Sequence, residues 1–451
     1  MVATVTFKRL FASLIIFFCF FIHNSFALEI IRDEELEKFT KELTAELLTD
    51  NNLNIEDINF YFINNKEINA FVTGGKNIFV NTGLITQADD YREYQAVIAH
   101  ELSHIIGGHI FNTSAELKNL SNKALPVYLL GIIGIFAGST DTAISSIMLG
   151  QASVQDGFTS YSRNQEASAD QAAINLMCSN KINASYLLSF LEKLDRKTLD
   201  SVSNENYYRS THPPIDSRKE WINISLKNKE CEFENTQSFQ EKFNLLKSKL
   251  IAFTHSKQEV AAIYRGDSNV DLYANAIISY LSGNHSVSLE ILNRLINREP
   301  NNPYFRELLG EIYFAKGDFG SAIINQSIAM ELINEPSDLY FMMIGSYLIT
   351  LEDQISKYDG IKNLKKSIFI NPKNTYSWYL LARAYAETEN LPLANYATAE
   401  RYYLIGERGL ALEFAQKSIN SIEKNSPEWY RANDLMSIIS SSLIEESSDR
   451  N

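Results

Sequence analysis

His100-Glu101-Leu102-Ser103-His104 constrains this chain more than any other run of residues in it. Histidines at i and i+4 share one face of a helix, where both imidazoles can grip a single metal ion. The glutamate after the first histidine then stands beside the metal, placed to take a proton from an attacking water. The segment must be helical, and it must be sunk into a core. Tyr94-Gln95-Ala96-Val97-Ile98-Ala99 supplies the apolar face for that. A purely structural metal site would leave Glu101 without a purpose, so the pattern reads as a hydrolase with one Zn2+ per chain.

A catalytic zinc takes three protein ligands and keeps one position open. The third ligand has to come from elsewhere, and Tyr161 to Asp170, at the head of a helical run through Met177, offers it. Glu166 and Asp170 are i, i+4 neighbours on one face of that run. Glu166 as ligand and Asp170 as the carboxylate that orients a ligand histidine complete the centre. Cys178 and Cys231 lack Cys-x-x-Cys partners, which excludes a cysteine metal site. They read either as a disulfide or as two small buried thiols.

Along the chain, Lys8 and Arg9 precede an apolar run from Leu10 to Ile22, and Ser25-Phe26-Ala27 follows it. That is the pattern of a cleaved export signal over residues 1–27, the run being short for a bilayer span. A helix is expected over Asp33 to Leu48, then strands over Asn59 to Ile63, Asn69 to Thr73 and Asn77 to Asn81, with a turn at Gly74-Gly75. The ligand helix spans 91–112 and is loosened or ended by Gly107-Gly108. Residues 125–150 are the most apolar stretch after the leader. They read as a buried helix, as a lid beside the centre, or as a segment in peripheral contact with a membrane surface.

Beyond a helix over Thr236 to His255, the pattern becomes repetitive. Gly283 and Gly317, like Tyr313 and Tyr347, are one period of about 34 residues apart. Leu309-Gly310, Tyr313, Gly317, Ala322 and Ala329 make one full repeat, Trp378, Leu381-Ala382, Tyr385 and Ala394 another, and Ala399, Tyr402, Gly406, Ala411 and Ala415 a third. This is the helix–turn–helix pattern of tetratricopeptide repeats, whose solenoids bind partners. Lys+Arg 41 against Asp+Glu 55 gives a formal charge of −14, with no basic run, which excludes a nucleic-acid footprint.

The HELSH segment, Tyr161-Ser162-Arg163-x-x-Glu166-x-x-Ala169-Asp170, and Thr211-His212-Pro213 with Arg218 together resemble the HtpX and CAAX-prenyl-protease class of gluzincin metallopeptidases. Glu67 to Phe71 and Thr82-Gly83-Leu84 are similar to it as well. The resemblance implies an α+β zincin-type peptidase domain over 28–235, a connecting helix over 236–255 and an all-α tetratricopeptide-repeat solenoid over 256–445. It implies His100, His104 and Glu166 as zinc ligands, Glu101 as general base and Asp170 behind them. His212 then either donates to the developing oxyanion, or fills the open metal position and holds the enzyme latent, or packs its loop. Asn77, Ile78, Phe79, Val80 and Asn81 are expected to form an edge strand that pairs with an extended substrate. With an export signal ahead and repeats behind, the expected setting is the periplasm. The expected substrates are unfolded or misfolded envelope proteins, and the repeats dock outer-membrane assembly machinery. The competing reading is a repeat scaffold that acts as a chaperone or assembly factor, with proteolysis minor.

Overall fold

The computed structural model describes residues 30–49, 53–73, 76–109, 163–200, 212, 215–229, 231–233 and 237–448. The leader, the Gly74-Gly75 turn and the apolar segment 125–150 lie outside them, as do Tyr161, Ser162, Thr211 and Pro213. Strand β1 (Ile30–Ile31) leads into helix α1 (Glu34–Leu47), capped by the Asp33 carboxylate, which accepts the Leu36 N–H at 2.9 Å. Leu36, Phe39, Leu43 and Leu47 recur at helical spacing and are all buried. Strands β2 (Asn59–Ile63), β3 (Ala70–Thr73) and β4 (Asn77–Asn81) follow, then α2 (Thr82–Gln87) and the ligand helix α3 (Tyr91–Ile106).

The sheet runs β1-β2-β4-β3. β4 pairs with β2 in parallel and with β3 antiparallel, and all five of its residues are buried. This corrects the expectation for Asn77, Ile78, Phe79, Val80 and Asn81: the segment is the interior strand. Its backbone is engaged on both sides, and β3 is the outer strand next to it. The alternation NIFVN explains the position. Ile78 and Val80 face the main core, while Phe79 stacks between Tyr61 (4.9 Å) and Phe71 (5.1 Å) on the opposite face.

Helices α4 (Arg163–Ser179), α5 (Ser185–Asp200) and α6 (Ile215–Lys227) close over α3. Cys178 and Cys231 are joined by a disulfide, with Cα atoms 5.2 Å apart, which fastens the end of α4 to the segment after α6. Helix α7 (Gln237–Thr254) belongs to both halves. Phe243, Leu246 and Leu250 enter the core around α3, and Leu245, Ile251 and Ala252 enter the first repeat core.

The remainder is helical: α8 (Lys257–Ile263), α9 (Asn269–Leu281), α10 (His285–Arg298), α11 (Pro303–Ala315), α12 (Phe319–Ile333), α13 (Asp338–Thr350), α14 (Gln354–Ile370), α15 (Thr375–Glu387), α16 (Leu391–Leu404), α17 (Arg408–Ile419) and α18 (Pro427–Ser448). From α9 onward successive helices pack as hairpins. Gly283, Gly317 and Gly406 turn at positive φ, and Glu389 takes the same conformation between α15 and α16. The set from Ala399 to Ala415 lies on α16 and α17. It therefore shares α16 with the repeat before it and does not follow it as a separate unit. Among the described residues no helix is long and apolar enough to cross a membrane.

Candidate metal centre

Helix α3 begins at Asp90, whose side chain accepts the Arg92 N–H at 2.9 Å, and ends on Gly107. It is buried from Glu93 to His104, so the ligand residues sit near the end of a rod that is packed all round. His100 and His104 direct Nε2 atoms toward each other, 3.1 Å apart. Glu166, in the first turn of α4, sets Oε2 3.5 Å from Nε2 of His100 and Oε1 3.3 Å from Nε2 of His104. His212 Nδ1 lies 3.0 Å from Glu166 Oε1. A donor atom from each of these four residues lies within 4.8 Å of the others, and all four side chains are fully buried.

Does a metal fit? Donors about 2 Å from one ion in a tetrahedral array stand about 3.3 Å from each other, and the observed separations are of that size. Both carboxylate oxygens of Glu101 are buried without a hydrogen-bond partner, beside the cluster. Glu166 Oε2 is 2.7 Å from Arg218 Nη1, an ion pair, and accepts no hydrogen bond. Buried imidazoles crowded nitrogen to nitrogen and buried carboxylate oxygens that accept no hydrogen bond are what a bound cation satisfies.

The charges agree. Burial raises the Glu166 and Asp170 carboxyls, but His212, Arg218 and His100 hold Glu166 well below the usual range, and Arg218 with His100 keeps Asp170 low. Two ionised carboxylates therefore face the Arg218 guanidinium and the His100 imidazole. Burial and Arg218 press His100 toward neutrality, yet Glu166 and Asp170 outweigh them and its pKa stands at about 9. Burial brings His104 down to about 3. Burial also pushes Glu101 up, with His212 and His100 opposing.

Asp170 Oδ1 lies 2.9 Å from His100 Nδ1, the position expected for a carboxylate that orients a ligand. Two residues do more than their sequence context showed. Arg218 grips Asp170 with Nε and Nη2 (2.8 and 2.7 Å) and also donates to the His212 carbonyl at 3.3 Å. It joins α4, α6 and the His212 loop. Its signal was an arginine six residues after His212 in a chain that needs a cation beside two buried acids. His109 packs under α3 and meets His104, Nδ1 to Nδ1 at 2.9 Å. The outer strand β3 borders the centre: His212 Nε2 is 3.2 Å from the Ala70 carbonyl and 3.4 Å from Glu101 Oε1.

Residues 31–223 match the model of Peptidase family M48. The chain carries a family M48 peptidase domain. It is a metallopeptidase, and the M48 match covers the helices that bear His100, His104, Glu166 and Asp170. Beyond the M48 domain, likeness to M48 relatives extends into the repeats. The chain is 24% identical over 412 residues to the "Beta-barrel assembly-enhancing protease" of Escherichia coli (strain K12), covering 88% of this chain and 81% of that protein. The Yersinia pestis protein of the same name is 23% identical over 379 residues, covering 79% and 74%. "Metalloprotease LoiP" of Escherichia coli (strain K12) is 29% identical over 144 residues, 32% of this chain and 54% of that protein.

Proposed function

We propose that this chain is a zinc-dependent endopeptidase of the periplasm. It degrades misfolded or stalled outer-membrane or envelope proteins, reaches them through its repeats, and has chaperone activity alongside. The observation that carries the reading is the buried convergence of His100, His104, Glu166 and His212 beside the Glu101 carboxylate, whose buried oxygens accept no hydrogen bond. The name that the two long relatives share, beta-barrel assembly-enhancing protease, supports the setting.

His100, His104 and Glu166 would hold the zinc, with Asp170 and Arg218 fixing His100 and Glu166. Bound zinc supplies a Lewis acid that brings the pKa of a water toward neutrality and polarises a carbonyl. Glu101, raised by burial toward working pH, takes the proton of the attacking water and returns it to the leaving amine. β3, the outer strand beside the centre, replaces Asn77–Asn81 as the edge on which an extended substrate would lie through backbone hydrogen bonds. That mode reads unfolded chain and is indifferent to most side chains. His212 stands at both places at once, against Glu166 and on the Ala70 carbonyl. This arrangement favours latency over an oxyanion role, because His212 must leave before substrate can pair there.

The test compares wild type, Glu101→Gln, His104→Ala and His212→Ala on an unfolded β-barrel protein. One zinc per chain is expected in wild type and Glu101→Gln, and none in His104→Ala. Cleavage should vanish in both of those variants and quicken in His212→Ala. Cleavage by metal-stripped wild type would sink the proposal, and slower cleavage by His212→Ala would return that residue to an oxyanion role.

A further inference from the structure

The glycine pair that ends the ligand helix also aims a side chain. Gly107 donates its N–H to the Ser103 carbonyl at 2.9 Å, and Gly108, at φ +64°, reverses the chain. The reversal folds His109 back beneath α3, where it is buried and its Nδ1 meets Nδ1 of His104 at 2.9 Å. Room for that ring depends on residue 107 having no side chain. A Cβ there would stand 2.7 Å from Nε2 and 2.9 Å from Cε1 of His109. The His109 carbonyl in turn accepts from Gln165 Nε2 at 3.4 Å, and Gln165 precedes Glu166.

His104 faces the other donors with Nε2, so its Nδ1 is on the far side. An imidazole that ligates through Nε2 carries its proton on Nδ1 and has one hydrogen bond to give there. His109 Nδ1 lies where that bond ends, and it can accept with its own proton on Nε2. We infer that His109 is a positioning residue that fixes the tautomer and tilt of His104 and, through Gln165, ties that ligand to the helix bearing Glu166. It stands to His104 as Asp170 stands to His100, with a neutral acceptor in place of a carboxylate. The inference rests on the metal reading of the centre given above.

The test uses the full chain, stripped of metal and titrated with Zn2+ against a competing chelator, and with Co2+ for its visible spectrum. Wild type should bind one Zn2+. His109→Ala should bind it about 10- to 100-fold more weakly, with a changed Co2+ band. His109→Asn, whose Oδ1 can accept where Nδ1 did, should restore most of the affinity and the band. Gly107→Ala, which crowds the ring without removing it, should weaken binding in the same direction. It also keeps the test open if His109→Ala does not fold. Wild-type affinity in His109→Ala or in Gly107→Ala, or no rescue by asparagine, overturns the role. Failure of wild type itself to bind Zn2+ overturns the metal reading and this inference with it, a separable result.

Discussion

Replacing Glu35 by glutamine isolates one titrating group in the seam between the two halves. That seam holds Asp33, Glu34, Glu35 and Glu37 from the start of α1, Glu307 and Glu311 from α11 and Asp338 from α13, against Arg32 and Lys249. Lys249 Nζ is 2.6 Å from Asp33 Oδ2 and 3.4 Å from Glu35 Oε2, and Tyr273 donates to Glu35 Oε2 at 3.2 Å. Glu35 is 5% exposed. Burial raises its pKa from 4.5 to about 7, with Lys249 opposing. Because the folded value is raised, the contribution of this group to stability is fully present below 4.5 and is lost as pH rises through about 7. At about 1.4 kcal/mol per pH unit for one linked proton, the span is worth about 3 kcal/mol. Glutamine stays neutral, can accept the Tyr273 hydroxyl, and leaves Asp33 paired with Lys249. Urea unfolding of wild type and Glu35→Gln at pH 5 and pH 8, with metal present, should show the variant gaining on wild type by up to about 3 kcal/mol as pH rises. Metal release at low pH affects both proteins and cancels in the difference. A difference constant to within about 0.5 kcal/mol would refute the reasoning. So would a variant less stable than wild type at pH 8, since Lys249 would then outweigh the cost of burying the ionised Glu35.

Three further outcomes are expected. Cys178→Ser opens a loop closed across a sequence separation of 53, which should cost about 4 kcal/mol by the chain-entropy model; wild-type urea resistance in the variant would contradict this. Gly83→Ala places a Cβ 2.2 Å from the Lys66 carbonyl oxygen and 2.4 Å from that of Glu67. It should cost about 3 kcal/mol, read as a lowered urea midpoint, with no loss if the loop before β3 can move aside freely. Because α7 places side chains in both cores, saturating metal at about 1,000 times Kd should add about 4 kcal/mol to a transition that includes the repeat helices. Two separate melts, only one of them moved by metal, would show that the halves do not unfold together.

The elements written by periodicity were legible. Asp33 to Leu48, the three short strands and the helix over Thr236 to His255 appear within a residue of their expected bounds, whereas the helix bearing His100 and His104, expected over 91–112, ends at Ile106. That His100 and His104 share one helix face, and Glu166 and Asp170 another, was legible because i, i+4 spacing fixes faces within a helix. Strand order was not, because it is a tertiary property. Alternation in NIFVN says that the strand is half-buried on each face and nothing about which neighbours flank it. The parallel pairing with β2, which makes β4 interior, depends on how the chain between them crosses over. The repeat boundary between Ala394 and Ala399 was misplaced for a similar reason. Small residues at helix contacts recur on every helix of a solenoid, so α16 satisfies two registers at once. The role of His109 was hidden because a Gly-Gly pair signals an ending, whereas the direction in which the chain leaves is set by the positive φ of Gly108.

The two helices that touch the repeats also touch the start of the ligand helix. At its first turn, α1 meets α13: Arg32 is paired with Asp338 at 3.1 Å, and Ser337 donates to Glu34. One and two turns on, the same helix packs against α3, with Thr40 Oγ1 2.8 Å from the Tyr94 hydroxyl and the Leu43 carbonyl accepting from Gln95 at 3.2 Å. α7 does likewise. Lys249 holds Asp33 while Gln240 accepts the Tyr91 N–H at 3.1 Å, at the first turn of α3. The opposite end of α3 carries His100 and His104, held by α4 and α6 through Asp170 and Arg218. A close-packed buried helix transmits displacement along its axis because its neighbours leave no room for it to bend. A partner that shifts α13 against α1 therefore bears on the same rod whose far end sets the ligand geometry. Linkage makes the relation reciprocal: any factor by which such a partner alters metal affinity is the factor by which metal alters the affinity of the repeats for that partner.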